Sequence, residues 1–201
     1  MRRCGRPTEL DRVHERHHCC QRGTAEINWK RPTILPNGQI LTWVADARGD
    51  FYHFDTPRAA SINNDRTVER GTAYAALDWR WPFISEGNSR SYIIQPIAQI
   101  IAQPYGGNPQ RLRIEDSQDF EFSDFNVFSF NQLPGYDIIE SGPRANLGAM
   151  AEMLFPGGKV EALAGQTYRL KPDPLLTAFS GNSGSASDVV GSFSKIGRAH
   201  V

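Results

Sequence analysis

Hydrophobic and polar positions alternate with a period of two along most of this chain. Successive side chains of a strand point to opposite faces, so the alternation predicts strands with one apolar and one polar face. From Arg144 to Phe155, one parity reads Ala145, Leu147, Ala149, Ala151, Met153 and Phe155; the other carries Arg144, Asn146 and Glu152. From Gly71 to Phe83, the face Ala73, Ala75, Leu77, Trp79, Trp81 and Phe83 opposes Thr72, Tyr74, Asp78 and Arg80. From Leu41 to His53, Leu41, Trp43, Ala45, Ala47, Gly49 and Phe51 oppose Asp46, Arg48 and Asp50, with Val44 the one aliphatic among them. From Ser91 to Gln103, Tyr92, Ile94, Ala98 and Ile100 oppose a face where isoleucines alternate with Gln95, Gln99 and Gln103. A short opener, Ala25 to Trp29, sets Ile27 and Trp29 against Glu26, Asn28 and Lys30.

These segments reach about ten residues or more, the length of a tilted membrane-spanning strand. Strands of soluble sheets average nearer five or six. Aromatic residues gather near several strand ends, where rings with one wet edge suit a membrane interface. Pro36-Asn37-Gly38 and Pro156-Gly157-Gly158 are tight-turn sequences, whereas 54–69, 104–143 and 171–187 are long polar connections. Short turns alternating with long loops are the rhythm of an outer-membrane barrel. The expected fold is therefore all-β: an antiparallel transmembrane β-barrel of which roughly seven or eight strands are present, as an open curved sheet. The competing reading is a soluble β-sandwich, for instance a carbohydrate-binding module. In a sandwich the apolar parities would be buried between two sheets; in a barrel wall they would form an outward band.

Lys+Arg and Asp+Glu total 22 each, so no basic surplus points to nucleic acid. Mean hydropathy is −0.47, which a barrel with a polar inner face tolerates. No apolar run approaches the ~18 residues of a membrane helix. Cys4, Cys19 and Cys20 all lie near the start, beside His14, His17 and His18, and adjacent His-His-Cys-Cys lacks the spacing of a zinc site. The acidic run Glu115, Asp116, Asp119, Glu121, Asp124 does not match a calcium loop and is read as solvated or paired with Arg111 and Arg113. No nucleophile elbow, P-loop or His-Glu-x-x-His occurs, so neither an enzyme nor a cofactor is expected.

Arginine turned toward lipid would cost about 2–4 kcal/mol near the bilayer midplane. Asp46, Arg48, Asp50, Asp78, Arg80, Gln95, Gln99 and Glu152 are accordingly expected to face a hydrated lumen. Pro96 sits inside a strand segment and is a candidate weak point in the wall.

The segment Asn108 to Gly148 holds, in order, an Asn-Pro pair, an acidic Glu-Asp-Ser stretch, a run rich in Phe and Asn (the place of a Phe/Asn/Leu-Phe run) and a Pro-Gly-Tyr-Asp turn. This order resembles a signature of the LptD family. So do Leu77-Asp78-Trp79-Arg80-Trp81-Pro82-Phe83, Gln95-Pro96-Ile97-Ala98-Gln99-Ile100 and the Pro156-Gly157-Gly158 turn with its Tyr168-Arg169 strand end. The resemblance covers roughly Glu26 to Phe193. It marks Glu115, Asp116, Asp119, Asn126, Pro134, Gly135, Tyr136 and Asp137 as a loop or lumen signature. It implies a cell outer membrane location and assembly of lipopolysaccharide (LPS) into the outer leaflet. The implied partners are LPS, membrane lipid, a plugging lipoprotein (LptE) and the components of a periplasmic bridge. A porin or receptor barrel of another family is the alternative within the same fold. Residues 1–23 are read as a non-native or disordered leader, 24–195 as a partial barrel, and 196–201, which resemble a translated sequencing adaptor, as a tail.

Overall fold

The computed structural model describes residues 19–55, 66–108, 121–133, 135, 137–173, 176 and 181–197. Eight strands form one antiparallel sheet: β1 (Cys19–Ile34), β2 (Ile40–Asp55), β3 (Arg66–Arg80), β4 (Phe83–Glu86), β5 (Ser91–Ala102), β6 (Arg144–Phe155), β7 (Gly158–Arg169) and β8 (Val190–Gly197). Their order is β1-β2-β3-β5-β6-β7-β8, with β4 extending the same sheet against β5. Neighbours in sequence are neighbours in space, a meander with β1 and β8 at open edges. The sheet is thus part of a barrel wall.

Alternation predicts β6 to the residue and β5 to within one. Two elements differ. The expected opener Ala25–Trp29 is a sixteen-residue strand, because β2 pairs it from Cys19↔Asp55 to Ile34↔Ile40. Arg22, Gly23 and Pro32 interrupt the local pattern, but backbone pairing to a long neighbour overrides it, and an edge strand tolerates Pro32. Residues 19–23 consequently lie in the sheet and not in the expected leader, and 196–197 of the expected tail lie in β8. The segment expected to run from Gly71 to Phe83 starts at Arg66 and stops at Arg80, because Trp81-Pro82 breaks the ladder before β4.

Pro96 is not an opening toward β6, since the pairing runs on through Pro96↔Ala149. Its carbonyl accepts from Trp81 N–H at 3.2 Å on the opposite side. In a strand, the N–H and C=O of one residue point the same way. The donor that proline lacks is therefore missing where Trp81-Pro82 has already interrupted the partner. The thin seam lies on that side: β3 pairs with β5 only over Ala75–Arg80 and Ile97–Ala102.

Burial is inverted relative to a soluble domain. One face carries the apolar parities and is open: Ile27, Trp43, Phe51, Ile94, Ile100 and Leu147 are all exposed, Ile94 by 57%. The other face is covered, and its buried members are largely polar: Asp50, Arg70, Asp78, Gln99, Arg144, Asn146, Thr167 and Arg169. Only one sheet is present among the described residues, so nothing sandwiches the apolar side. The cover is formed by described residues of the long connection after β5, chiefly 121–133 and 137–143, joined by Asn182 from the connection after β7.

Two features seat this loop. A cross-strand row, Val44↔Ala76↔Ile101, forms a small buried apolar core beneath Tyr74 and Phe130. That row explains the aliphatic Val44 on a polar face. Further along, Gly148 and Gly165 pair directly across β6 and β7. A Cβ on Gly148 would stand 2.6 Å from Phe128 Cζ and would also collide with the Ala164 carbonyl, so the ring lies in a hollow that only glycine leaves. Gly148→Ala is expected to destabilise the fold by about 1–3 kcal/mol, the usual cost of forcing atoms into a filled site. Chemical denaturation of the detergent-solubilised full-length protein measures it, and an unchanged midpoint would show that the ring does not fill that hollow.

Candidate functional site

Over β3 to β7 the covered face carries a hydrogen-bonded network. Arg80 Nε donates to Asp78 Oδ1 at 2.8 Å, and Gln99 Nε2 donates to Asp78 Oδ2 at 2.5 Å. Asn146 Nδ2 donates to Gln99 Oε1, and Thr167 Oγ1 donates to Asn146 Oδ1, both at 2.9 Å. These residues occupy one register row, Asp78↔Gln99↔Asn146↔Thr167, across β3, β5, β6 and β7. Loop residues complete it. Gln132 Nε2 donates to Thr167 Oγ1 at 2.9 Å and to Val127 O at 3.0 Å, and Gln99 Nε2 also donates to Phe128 O at 3.1 Å. Asn182, from the segment after β7, donates to Gln132 Oε1 at 3.0 Å.

At the long-loop end of the sheet, Glu140 lies between two buried guanidinium groups. Its Oε2 is 2.8 Å from Arg144 Nη1, and its Oε1 accepts from Arg169 Nη2. Arg144 Nη2 further donates to Phe130 O at 2.6 Å, and Arg169 Nη2 to Gln132 Oε1 at 3.1 Å. Arg144 Nη1 is close to the carboxylate but not aligned with it as a hydrogen bond, and Arg144 Nε and Arg169 Nη1 have no acceptor among the described residues. One carboxylate thus serves two desolvated cations.

A second ion cluster ties the loop to β1–β3. Asp50 accepts from Arg70 Nε at 2.9 Å, from Arg70 Nη2 at 2.6 Å, from Arg48 Nε at 2.9 Å and from Thr24 Oγ1 at 2.9 Å. Arg70 Nη2 also donates to the Tyr52 hydroxyl at 3.0 Å, and Arg70 Nη1 to the Asp137 carbonyl at 2.7 Å. Arg22 reaches the Asp137 carboxylate at 3.2 Å.

Of the expected polar residues, Asp46, Arg48, Asp50, Asp78, Arg80, Gln95, Gln99 and Glu152 all stand on the covered face by register. Their environments differ. Asp50, Asp78 and Gln99 are buried and bonded, whereas Gln95 makes no side-chain hydrogen bond among the described residues. Glu152 lies 3.7 Å from Lys159 near the short-turn end. Within the loop signature, Asp137 docks on Arg70 and Arg22. Asn126 holds a local turn, accepting from Ser123 N at 2.9 Å and donating to Glu121 O at 2.7 Å. Gly135 has φ 76°, a left-handed conformation natural to glycine. Glu115, Asp116, Asp119, Pro134 and Tyr136 lie outside the described residues, as do the leader residues through 18.

Arg70, Glu140, Arg169, Gln132 and Thr167 were not singled out by pattern. Arg144 and Asn146 were placed on a polar face, but no local signal marks them as the anchors of a distant loop. No group of three or more potential metal ligands occurs among the described residues.

Removing one partner of a buried ion group leaves an uncompensated charge, at a cost of about 3–5 kcal/mol. Glu140→Gln is therefore expected to release the loop and lower stability by that order. Limited proteolysis within 121–143 of the intact full-length protein, together with its denaturation midpoint, checks both. A variant as resistant as the parent would show that Glu140 does not hold the loop.

No curated protein matches the chain. A family match is found for residues 8–195, which reaches further toward the start than the motifs from Glu26 onward. With most of its length matched and an antiparallel strand meander that turns its charges to one side, the chain belongs to the LptD family, LPS transport system D.

Proposed function

We propose that this chain is part of the wall of the outer-membrane LPS translocon, which assembles LPS into the outer leaflet. The family's role in LPS transport supports this reading. The single observation that carries it is the inverted burial of the sheet, apolar outward and polar inward. In this reading bilayer hydrocarbon covers Ile27, Ile94, Ile100 and Leu147, and the covered face lines the lumen. The partly exposed Asp46, Arg80, Gln95 and Glu152 keep that lumen wet, so that the sugar and phosphate portions of LPS meet a polar surface while the acyl chains stay with the membrane; Arg48, Asp50, Asp78 and Gln99 are withdrawn from solvent into ion pairs and hydrogen bonds with the wall and the loop. LptE occupies the barrel and periplasmic bridge components deliver the substrate. The short turns at 35–39, 87–90 and 156–157 face the periplasm, and the long connections face outward.

Aromatic anchors fit this orientation. Trp79, Trp81 and Phe83 cluster at the short-turn end, with Trp81 and Phe83 centroids 4.6 Å apart. The indole N–H groups of Trp79 and Trp81 bond to Gln39 Oε1 and Asn37 O of the neighbouring turn, at 2.9 and 3.2 Å. Such rings, apolar in body and polar at one edge, suit an interface.

Opposite faces of adjacent strands provide the test. Ala149→Arg, outward and mid-strand, is expected to cost about 2–4 kcal/mol and to lower the amount of folded barrel in the outer membrane. Gln95→Arg, on the inner face, is expected to assemble normally. In cells dependent on the full-length protein, the first variant should reduce LPS at the cell surface and the second should not. If both variants assembled equally well, the outward face would not be in hydrocarbon. If loss of the intact protein left surface LPS unchanged, the transport reading would be wrong.

A further inference from the structure

On the outward face, β2 and β3 set small residue against small residue in three successive rows, Gly49↔Gly71, Ala47↔Ala73 and Ala45↔Ala75. Phe51 and Glu69 close this strip at the long-loop end, and Trp43 and Leu77 at the other. Ile27 stands beside it on β1, and Pro104 and Tyr105 border it beyond β3. Two hollows of about 690 and 680 Å³ adjoin here and share Ala25, Gly49 and Gly71. Asp50 and Arg70 border the second, although their side chains are buried on the covered face, so bare backbone forms part of the floor.

The chain's own packing does not account for these glycines. A Cβ added at Gly49 or Gly71 would meet nothing within 4 Å, and neither residue has a left-handed φ. Gly148 and Gly165, by contrast, leave room for Phe128. Glycine inside a strand weakens it and marks a place where a ligand or another backbone comes close. The strip also has a polar edge. Trp81 N–H donates to Pro96 O on the β5 side of the strand, and alternation turns the N–H and C=O groups of Ala73 and Gly71 the same way. The ladder ends at Ala75↔Ala102, and among the described residues no hydrogen bond joins Ala73 or Gly71 to 103–107.

We propose that this strip seats one acyl chain of an ester- or amide-linked bilayer lipid, held from the membrane side. The inference rests on the outward placement of this face given above and not on the passage of LPS. Hydrocarbon is what that placement puts against the strip. The acyl chain lies on the glycine and alanine floor between Phe51 and Trp43, roughly 14 Å along the strands. The carbonyl of its linkage accepts from the open edge of β3 at Gly71 or Ala73. An N–H left unpaired in hydrocarbon costs free energy, so a ligand that brings an acceptor with its tail matches both parts of the site.

The test uses the full-length protein with its partner lipoprotein in vesicles of phosphatidylethanolamine and phosphatidylglycerol. A photo-reactive amino acid replaces Ile27, beside the strip, or Ile94, exposed on the outward face of β5. Each protein is irradiated in the vesicles and again after exchange into detergent. In vesicles both positions should give lipid adducts. After exchange the adduct at Ile27 should exceed that at Ile94 by about tenfold, since only a seated lipid survives the wash. Gly49→Leu combined with Gly71→Leu fills the floor and should remove that excess. Ala47→Leu, a single filling of the same floor, should remove it too and serves where the double variant fails to assemble. Equal adducts at the two positions after exchange, an excess that survives filling, or a protein cross-linked at Ile27 in place of lipid would overturn the lipid seat and leave the outward placement standing. Absence of lipid adducts at both positions in vesicles would count against both.

Discussion

Glu140 sits between two arginines that are almost entirely out of water, and that carboxylate is the main ionic anchor of the long loop on β6 and β7. Two buried cations with no counter-charge would not be tolerated at this site. The carboxylate therefore brings the loop to β6 and β7, where Arg144 and Arg169 are fixed by pairing. Once it is there, Phe128 drops into the gap above Gly148 and Gly165, and Gln132 joins Thr167 and Asn146. Coulombic attraction thus selects the loop position, and close packing and hydrogen bonds make it specific.

The same economy governs the whole wall. A soluble sheet hides its greasy side and wets its polar side; here the polar side is covered and the greasy side is open. Polar groups that leave bulk water must be bonded, and the row Asp78, Gln99, Asn146, Thr167 meets that demand strand by strand. Bonding of this kind occupies the inner surface over β3–β7. The region over β1–β3 is built differently, with ion pairs drawn toward the long-loop end and an open cleft left below them.

Irregularities in the sheet are placed where they cost least. Pro96 lacks its donor on the side where Trp81-Pro82 has already ended the ladder, so the two prolines share one interruption. Pro32 lies in β1, at an edge of the sheet.

Periodicity alone determined much of this protein. Strict alternation located β2, β5 and β6, identified Asp46, Asp78, Gln99 and Glu152 as sharing a face opposite the alanines and tryptophans, and indicated a barrel wall, because side-chain parity follows from strand geometry without reference to any partner. The tertiary structure decided what parity cannot encode. The length of β1 comes from backbone pairing with β2, which local sequence opposes at Arg22, Gly23 and Pro32. The roles of Arg70, Glu140, Arg144 and Arg169 come from contacts between residues far apart in the chain, or, for Glu140 and Arg144, from a loop bend that no regular period predicts. Long-range contacts leave no mark on local spacing, and so the anchors of the loop and the cleft beside it are visible only once the chain is folded.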